Sequence, residues 1–123
     1  MEAIARHTNV PMSVRKMRLV VDNIRGQNVE KALGILKFTK RESGIWLEKL
    51  VLSAIANWSV KSGEEMDSYD LYIKTIFANQ GPQLKRFRPA PHGRAHRIRK
   101  HTNHVTLVVE NRVPLAQDEE VAQ

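Results

Sequence analysis

The segment from Pro82 to Lys100, PQLKRFRPAPHGRAHRIRK, is the part of the chain whose residue types point most directly to chemistry. It contains seven Lys or Arg residues, two His and no acid. Arginine guanidinium groups are forked donors that match phosphate oxygens, whereas lysine acts as a point charge. Because positive charges at this density repel one another unless they are neutralised, the segment is predicted to bind a polyanion. A solvated loop that serves only solubility is the alternative.

The phenylalanine and histidine side chains within and beside this segment favour RNA binding over a metal site. Phe87 and His96 can stack on unpaired bases, which single-stranded or looped RNA presents. His92, His101 and His104 complete a group of four that suggests zinc, but zinc sites of this density usually include cysteine, and the chain has none. Surrounding positive charge also disfavours a cation. We therefore predict no metal and no cofactor.

Catalysis has little support in the sequence. There is no nucleophile motif, no glycine-rich phosphate loop and no pair of carboxylates near the basic segment. Asp67 and Asp70 flank the start of a predicted strand, where acids commonly form turns. The chain is predicted not to be an enzyme.

The positive charge of the chain is concentrated in one region. The 123 residues carry a formal net charge of +7. Eight Lys or Arg residues and no acid lie between Leu71 and Val109, while the remainder holds twelve basic and thirteen acidic residues. This concentration indicates a binding surface, since charge that serves only solubility is spread out.

The compartment is predicted from what the sequence lacks. The chain has no cysteine, so it forms no disulfide, which fits a reducing compartment. No apolar run approaches the roughly 20 residues of a membrane span, and the N-terminus does not resemble a signal peptide. The predicted location is cytoplasmic, with no membrane partner.

Hydrophobic periodicity predicts three helices after a short edge strand at Glu2–Thr8. The first helix is expected to be capped by Ser13 and to end at Gly26, with a basic face opposite its apolar stripe. Asn28 is expected to cap the second helix. The third and longest helix is expected to start at a capping box formed by Thr39 and Glu42.

Two runs rich in aromatic and β-branched residues, Tyr69–Ala78 and Val105–Val109, are predicted to be strands. The segment between them is too long for a loop within a globule only about 35 Å across. We therefore predict a hairpin over residues 79–101 that leaves the body, with a break in pairing at Gly81–Pro82 and a turn at Pro89–Gly93. Residues 1–112 are predicted to form one domain, and residues 113–123 an acidic, flexible tail.

Four stretches of the sequence resemble the bacterial family of large-ribosomal-subunit protein twenty-two: MSVRKMRLVVDNIRG, SAIANW, GPQLKRFRPAPHGRAHRIRK and HTNHVTLVV. They occur in the family's order over nearly the whole chain. The resemblance implies an α+β fold, with three helices packed on a small three-stranded antiparallel sheet and a long protruding basic β-hairpin. It also implies a structural role in the large subunit.

The same resemblance implies binding to large-subunit (23S-type) rRNA and a part in early subunit assembly. The hairpin of this family lines the nascent-polypeptide exit tunnel, near the space used by macrolide antibiotics and stalling peptides. Expected partners are therefore the rRNA, neighbouring large-subunit proteins and, transiently, the nascent polypeptide.

Two groups of residues are predicted to make these contacts. The rRNA is expected to meet basic, histidine and neighbouring polar residues of the body and the hairpin: Arg6, His7, Arg15, Lys16, Arg18, Arg25, Lys85, Arg86, Arg88, Arg94, Arg97, Arg99, Lys100, His101, Thr102, Asn103 and His104. The tip of the hairpin at the exit tunnel is expected to comprise Leu84, Lys85, Arg86, Pro89, Ala90, Pro91, His92 and Gly93.

Two other functions remain open at this stage. The chain can be an RNA-binding regulator or annealing factor that is not part of the ribosome. It can also be a protein-interaction module whose basic arm binds acidic partners.

Overall fold

The computed structural model describes residues 1–65, 69–82 and 101–113 with their side chains, and residues 84–89 and 95–100 as backbone strands. The predicted turn residues Ala90–Gly93, the predicted contact Arg94 and the tail from residue 114 onward lie outside the described residues. The predicted division into domain and tail therefore stays a prediction.

The described residues form three helices and five strands, which confirms the α+β class. The helices are α1 (Val14–Ile24), α2 (Val29–Lys37) and α3 (Glu42–Ser62). The strands are β1 (Glu2–Val10), β2 (Leu71–Gln80), β3 (Leu84–Pro89), β4 (Ala95–Lys100) and β5 (Asn103–Asn111). None of these helices is both long enough and apolar enough to cross a membrane.

The body of the protein is an antiparallel sheet in the order β1-β5-β2, with the helices packed on one of its faces. Alternate residues of β5 point to that face and are buried, as the two-residue period of a strand requires. β1 and β2 follow the same pattern except at one register shift in each, between His7 and Val10 and between Ile73 and Thr75. The core lies between this face and the helices. Among its fully buried side chains are Met17, Leu47, Trp58, Ile73 and Leu107.

The starts of α1 and α2 agree with the sequence-based prediction. The Ser13 hydroxyl accepts a hydrogen bond from the Lys16 amide at 3.4 Å, and the Asn28 carboxamide oxygen accepts one from the Glu30 amide at 2.8 Å. Gly26, with φ +75°, follows the end of α1 in the left-handed region that glycine adopts easily.

The predicted capping box of α3 is wrong. The Thr39 hydroxyl donates to the Ile35 carbonyl of α2 at 2.7 Å, so it closes the preceding helix instead of capping the next one. The helix begins at Glu42 after Arg41, whose side chain makes no capping hydrogen bond. The first turn of α3 therefore lacks the side-chain acceptor that the sequence pattern suggested.

β3 and β4 form a separate two-stranded antiparallel ribbon, as the hairpin prediction requires. It joins the body at a neck that we define as Gly81, Pro82, His101 and Thr102. There the Gly81 amide donates to the Thr102 carbonyl at 2.9 Å, and the Thr102 hydroxyl donates to the Pro82 carbonyl at 2.6 Å. The break in strand pairing lies at Gly81–Pro82, as predicted.

Replacing Gly81 by Ala is expected to destabilise the neck. A Cβ atom at this position would lie 2.6 Å from the Thr102 hydroxyl oxygen and 3.2 Å from two Thr102 backbone atoms. We expect the free energy of unfolding, measured in urea, to fall by about 1–3 kcal/mol. Gly34→Ala is the matched control, because its Cβ would meet nothing within 4 Å and a helix interior favours alanine. Equal stability of the two variants would contradict this account of the neck.

Candidate nucleic-acid interface

Some basic side chains of α1 form hydrogen bonds within the protein, and the others are exposed to solvent. Arg18 donates to the Ala78 carbonyl of β2 through Nε at 3.2 Å and Nη2 at 3.0 Å. Arg25 donates to the Ile76 carbonyl at 3.2 Å and to the Asp22 carboxylate at 2.7 Å. Both guanidinium groups thus bind carbonyls of an edge strand and hinder its pairing with another chain.

The opposite edge of the sheet is covered in the same way. Asn57 and Lys61 of α3 donate to the carbonyls of Ile4 and Glu2 in β1, at 3.0 Å and 2.7 Å. Covering both edges with helix side chains is therefore a general feature of this body. Arg18 and Arg25, which were predicted to bind rRNA, serve first as structural ties.

Arg15 and Lys16 are the members of the predicted basic face that remain available. Both are exposed, and neither side chain forms a hydrogen bond or salt bridge within the described part of the chain. Because Arg18 lies beside Ala78 and Arg25 beside Ile76, α1 runs antiparallel to β2. Its first turn, with Arg15 and Lys16, therefore lies toward the neck of the ribbon.

Matched substitutions on α1 separate these two uses of arginine. Arg18→Met is expected to lower the free energy of unfolding by about 1–2 kcal/mol, because it removes donors to a backbone carbonyl. Arg15→Met removes the same charge but is expected to leave stability unchanged and to weaken rRNA binding about 3–10-fold. Urea unfolding and filter binding measure the two effects. A reversed pattern would show that Arg15, not Arg18, is the structural tie.

Arg6 and His7 do not form one patch, although they are adjacent in sequence. Successive strand residues point to opposite faces of a sheet. Arg6 is exposed on the face that the helices leave open, while the His7 ring packs edge-on against Trp46 of α3, with centroids 5.0 Å apart. Both lie on β1, across the sheet from β2 and α1, so the structure does not bring them to the basic face of α1.

The predicted contacts at the base of the ribbon need one correction. Asn103 is completely buried, and its side-chain amide donates to the Met12 carbonyl at 2.9 Å. It joins β5 to the segment before α1 and is not exposed to a partner. Thr102 is half-buried in the neck, and the His104 Nδ1 accepts the Asn9 amide at 3.0 Å. Only His101 of this group is largely exposed.

Lys74 belongs to a charged cluster on the body and not to the candidate interface. It contacts the carboxylates of Glu2 and Glu110, the latter at 3.4 Å. The hydrogen bond between Lys74 and Glu2 lowers the pKa of Glu2 and raises the pKa of Lys74. Tyr72 donates to Glu110 at 3.0 Å, and this bond raises the pKa of the Tyr72 hydroxyl. Lys74 is therefore neutralised locally, and the excess charge falls on residues 82–100.

Five of the six residue pairs in the ladder of the ribbon contain a Lys or Arg residue. Leu84 pairs with Lys100 at the end nearest the neck, and Pro89 pairs with Ala95 at the far end. Six of the twelve paired residues are Lys or Arg and none is acidic. Lys85 pairs directly with Arg99, and like charges in such positions disfavour pairing. A polyanion around the ribbon removes this cost.

The predicted tunnel residues divide along the ribbon. Leu84, Lys85 and Arg86 form the half of the ladder nearer the body, and Pro89 forms its last pair. The first three therefore precede the predicted turn at Pro89–Gly93, and their place at the exit tunnel stays a prediction. The structure brings together no group of three or more potential metal ligands among the residues it describes.

One residue that sequence reasoning missed is Arg41. It lines a cavity of about 280 Å³ together with Met12, Lys16, Glu42 and Ser43. The predicted capping box placed residue 41 inside the helix, so the sequence offered no reason to expect Arg41 just before the start of α3. Met12 is bound by Asn103, so this cavity lies on the side of the body that holds the base of the ribbon.

Comparison with known proteins decides the family. The family model of ribosomal protein L22p/L17e matches residues 5–110. The chain belongs to this family. The L22p/L17e match includes the three helices, the ribbon and most of the sheet, so it covers the whole candidate interface.

Several curated relatives, each named large ribosomal subunit protein uL22, are similar to this L22p/L17e chain. The one from Flavobacterium psychrophilum is 57% identical over 108 residues, which cover 87% of this chain and 79% of the relative. The one from Christiangramia forsetii is 56% identical, covering 87% and 80%. The one from Bacteroides fragilis is 53% identical, covering 88% and 79%. These matches do not support a regulator outside the ribosome.

Proposed function

We propose that this chain is a structural constituent of the large ribosomal subunit and binds large-subunit rRNA through its ribbon and the surface around the neck. The observation that carries this proposal is the two-stranded ribbon, half of whose paired residues are basic and none acidic. Family membership and the names of the relatives support the ribosomal setting. The family is one of structural proteins and not of enzymes.

The geometry suggests how the chain acts on RNA. The covered sheet edges and the buried core make the body a rigid anchor. Arg15 and Lys16 lie on the side of the body that faces the neck. Phosphate contacts of this kind fix position and orientation without reading sequence. The ribbon carries further cations away from the body. One chain can therefore hold RNA segments that are distant in sequence at fixed relative positions, which is how it would assist early assembly.

The finer part of the proposal concerns the exit tunnel. Six residue pairs at about 3.3 Å per residue carry the ribbon roughly 20 Å from the neck before the turn begins. An arm of this length can reach a channel inside the subunit while the body stays near its surface. We propose that the ribbon borders the path of the nascent polypeptide, and that neighbouring large-subunit proteins meet the body.

Sedimentation tests the proposed function. A tagged copy of the full chain, expressed in a bacterium related to the organisms above, is expected to remain with large subunits through a high-salt wash. Ribonuclease treatment should then release it, because RNA supplies most of its contacts. A chain that the salt wash strips from the particles, or that stays in complexes insensitive to ribonuclease, would contradict the proposal.

A further inference from the structure

The cavity at the start of α3 has the composition of an anion site. Its lining includes two cationic side chains, Lys16 from α1 and Arg41 from the segment before α3. Both are exposed, and neither side chain forms a salt bridge in the described part of the chain. The cations come from different elements, so the packing of α1 against α3 sets their separation.

The backbone at this cavity adds to the attraction for an anion. α3 is 21 residues long, and in its first turn the Gly44 amide donates to the Arg41 carbonyl at 3.1 Å, whereas the amides of Glu42 and Ser43 precede the first helical acceptor. Arg41 provides no side-chain cap, and Thr39 bonds to α2 instead. A long helix with an uncapped start presents amide donors and the positive end of its dipole, and phosphate groups bind such ends.

The buried hydroxyl of Ser43 is independent evidence for a ligand in this cavity. Ser43 is completely buried and belongs to the cavity wall, and its hydroxyl has no hydrogen-bond partner among the described residues. A buried hydroxyl without a partner is costly. Because a serine hydroxyl can turn between rotamers, an oxygen-rich ligand in the cavity can supply the missing acceptor.

Among the described residues that line the cavity, Glu42 is the acidic one. Its side chain is exposed, so it can point into solvent when the cavity is filled. Two cations and the helix start outweigh this single carboxylate, but it should weaken anion binding. Removing the charge of Glu42 should therefore strengthen anion binding, whereas removing the charge of Arg41 should weaken it.

We propose that the cavity formed by Lys16, Arg41 and Ser43 at the start of α3 binds one phosphodiester of the RNA backbone. The proposal rests on the proposed function, since the phosphate belongs to the large-subunit rRNA. Free inorganic phosphate shares the chemistry, but the site lies on the side of the body that carries the neck, where RNA is expected. A phosphate held here anchors α1 and α3 to the same point of the backbone.

Four single substitutions in the full chain test the site with deproteinised large-subunit rRNA as the probe. Arg41→Gln is expected to weaken binding about 3–10-fold and to reduce the slope of log K against log salt by about one contact. Ser43→Ala should weaken binding about 3-fold without lowering thermal stability, because it removes a hydroxyl that has no partner in the free protein. Glu42→Gln should strengthen binding about 2-fold. Lys31→Gln, the control on α2, matches the charge change of Arg41→Gln and should alter binding less than 2-fold.

The outcomes separate this inference from the proposed function. If the unmodified chain shows no preference for large-subunit over small-subunit rRNA, the proposed function fails. If that preference holds but Arg41→Gln and Ser43→Ala behave like Lys31→Gln, the phosphate site alone is refuted. It is also refuted if Ser43→Ala lowers thermal stability and leaves rRNA affinity unchanged, which indicates a structural hydroxyl. Inorganic phosphate alone can be added to the chain while the NMR signals of the Ser43 and Arg41 amides are recorded. If these signals shift but the substitutions do not change rRNA binding, an RNA ligand is refuted.

Discussion

Replacing Arg94, Arg97 and Arg99 together by Gln is expected to weaken binding to large-subunit rRNA by at least about tenfold and to flatten its salt dependence. Each phosphate contact contributes roughly 0.7–0.9 to the slope of log K against log salt, because a neutralised phosphate releases condensed counterions. Three contacts should therefore reduce the slope by about 2–3. Filter binding over a series of salt concentrations measures both quantities.

The matched control is Lys31→Gln, Lys37→Gln and Lys74→Gln combined, which removes the same charge from the body. Lys31 and Lys37 lie on the exposed part of α2, and Lys74 is already paired with Glu2 and Glu110. This variant should keep nearly the full slope. Equal slopes for the two triple variants would mean that only total charge matters, and the ribbon would lose its special role.

Deleting Leu84, Lys85 and Arg86 is expected to leave subunits able to assemble and translate, with altered macrolide sensitivity or nascent-chain stalling. These residues pair with Lys100, Arg99 and Ile98. Removing three residues from one arm shortens it by roughly 10 Å and, because three is odd, reverses the faces of the rest of β3 relative to β4. The turn must therefore move, while Arg15 and Lys16 on the body stay in place.

Replacing the same three residues by Ala is the control, since it removes their side chains and keeps the length of the arm. Subunit profiles and drug response of both variants are compared with those of the parent. A larger change in drug response for the deletion indicates that the position of the turn matters. Collapse of assembly in the deletion would make this part of the ribbon a docking element, and an unchanged drug response would place the turn away from the tunnel.

The elements of the fold were predictable because each has a local signature. Ser13, Asn28 and Gly26 mark helix ends through their own side chain or backbone, and the stripe that contains Leu47 and Trp58 repeats at helical spacing. The α3 capping box failed for a nonlocal reason. The Thr39 hydroxyl could accept from an amide of α3 or donate to a carbonyl of α2, and it donates to Ile35 of α2.

The site was less predictable, because residue type does not show which partner a side chain uses. Arg15 and Arg18 look alike in sequence, but only Arg18 lies where β2 presents a free carbonyl. Asn103 was placed with exposed neighbours, whereas the pleat of β5 turns it into the core. Arg41 has no pattern of its own, and only the packing of α1 against α3 places it beside Lys16. These distinctions depend on tertiary contacts.

A density map of the large subunit that carries this chain would show directly whether the ribbon is bound by rRNA. We expect the ribbon of β3 and β4 to lie inside the particle, with rRNA on both sides and its turn at the tunnel wall. The side of the body with Arg15 and Lys16 should face RNA phosphates. A map in which the ribbon projects into solvent, or in which the chain occupies no fixed position on the subunit, would contradict the claim.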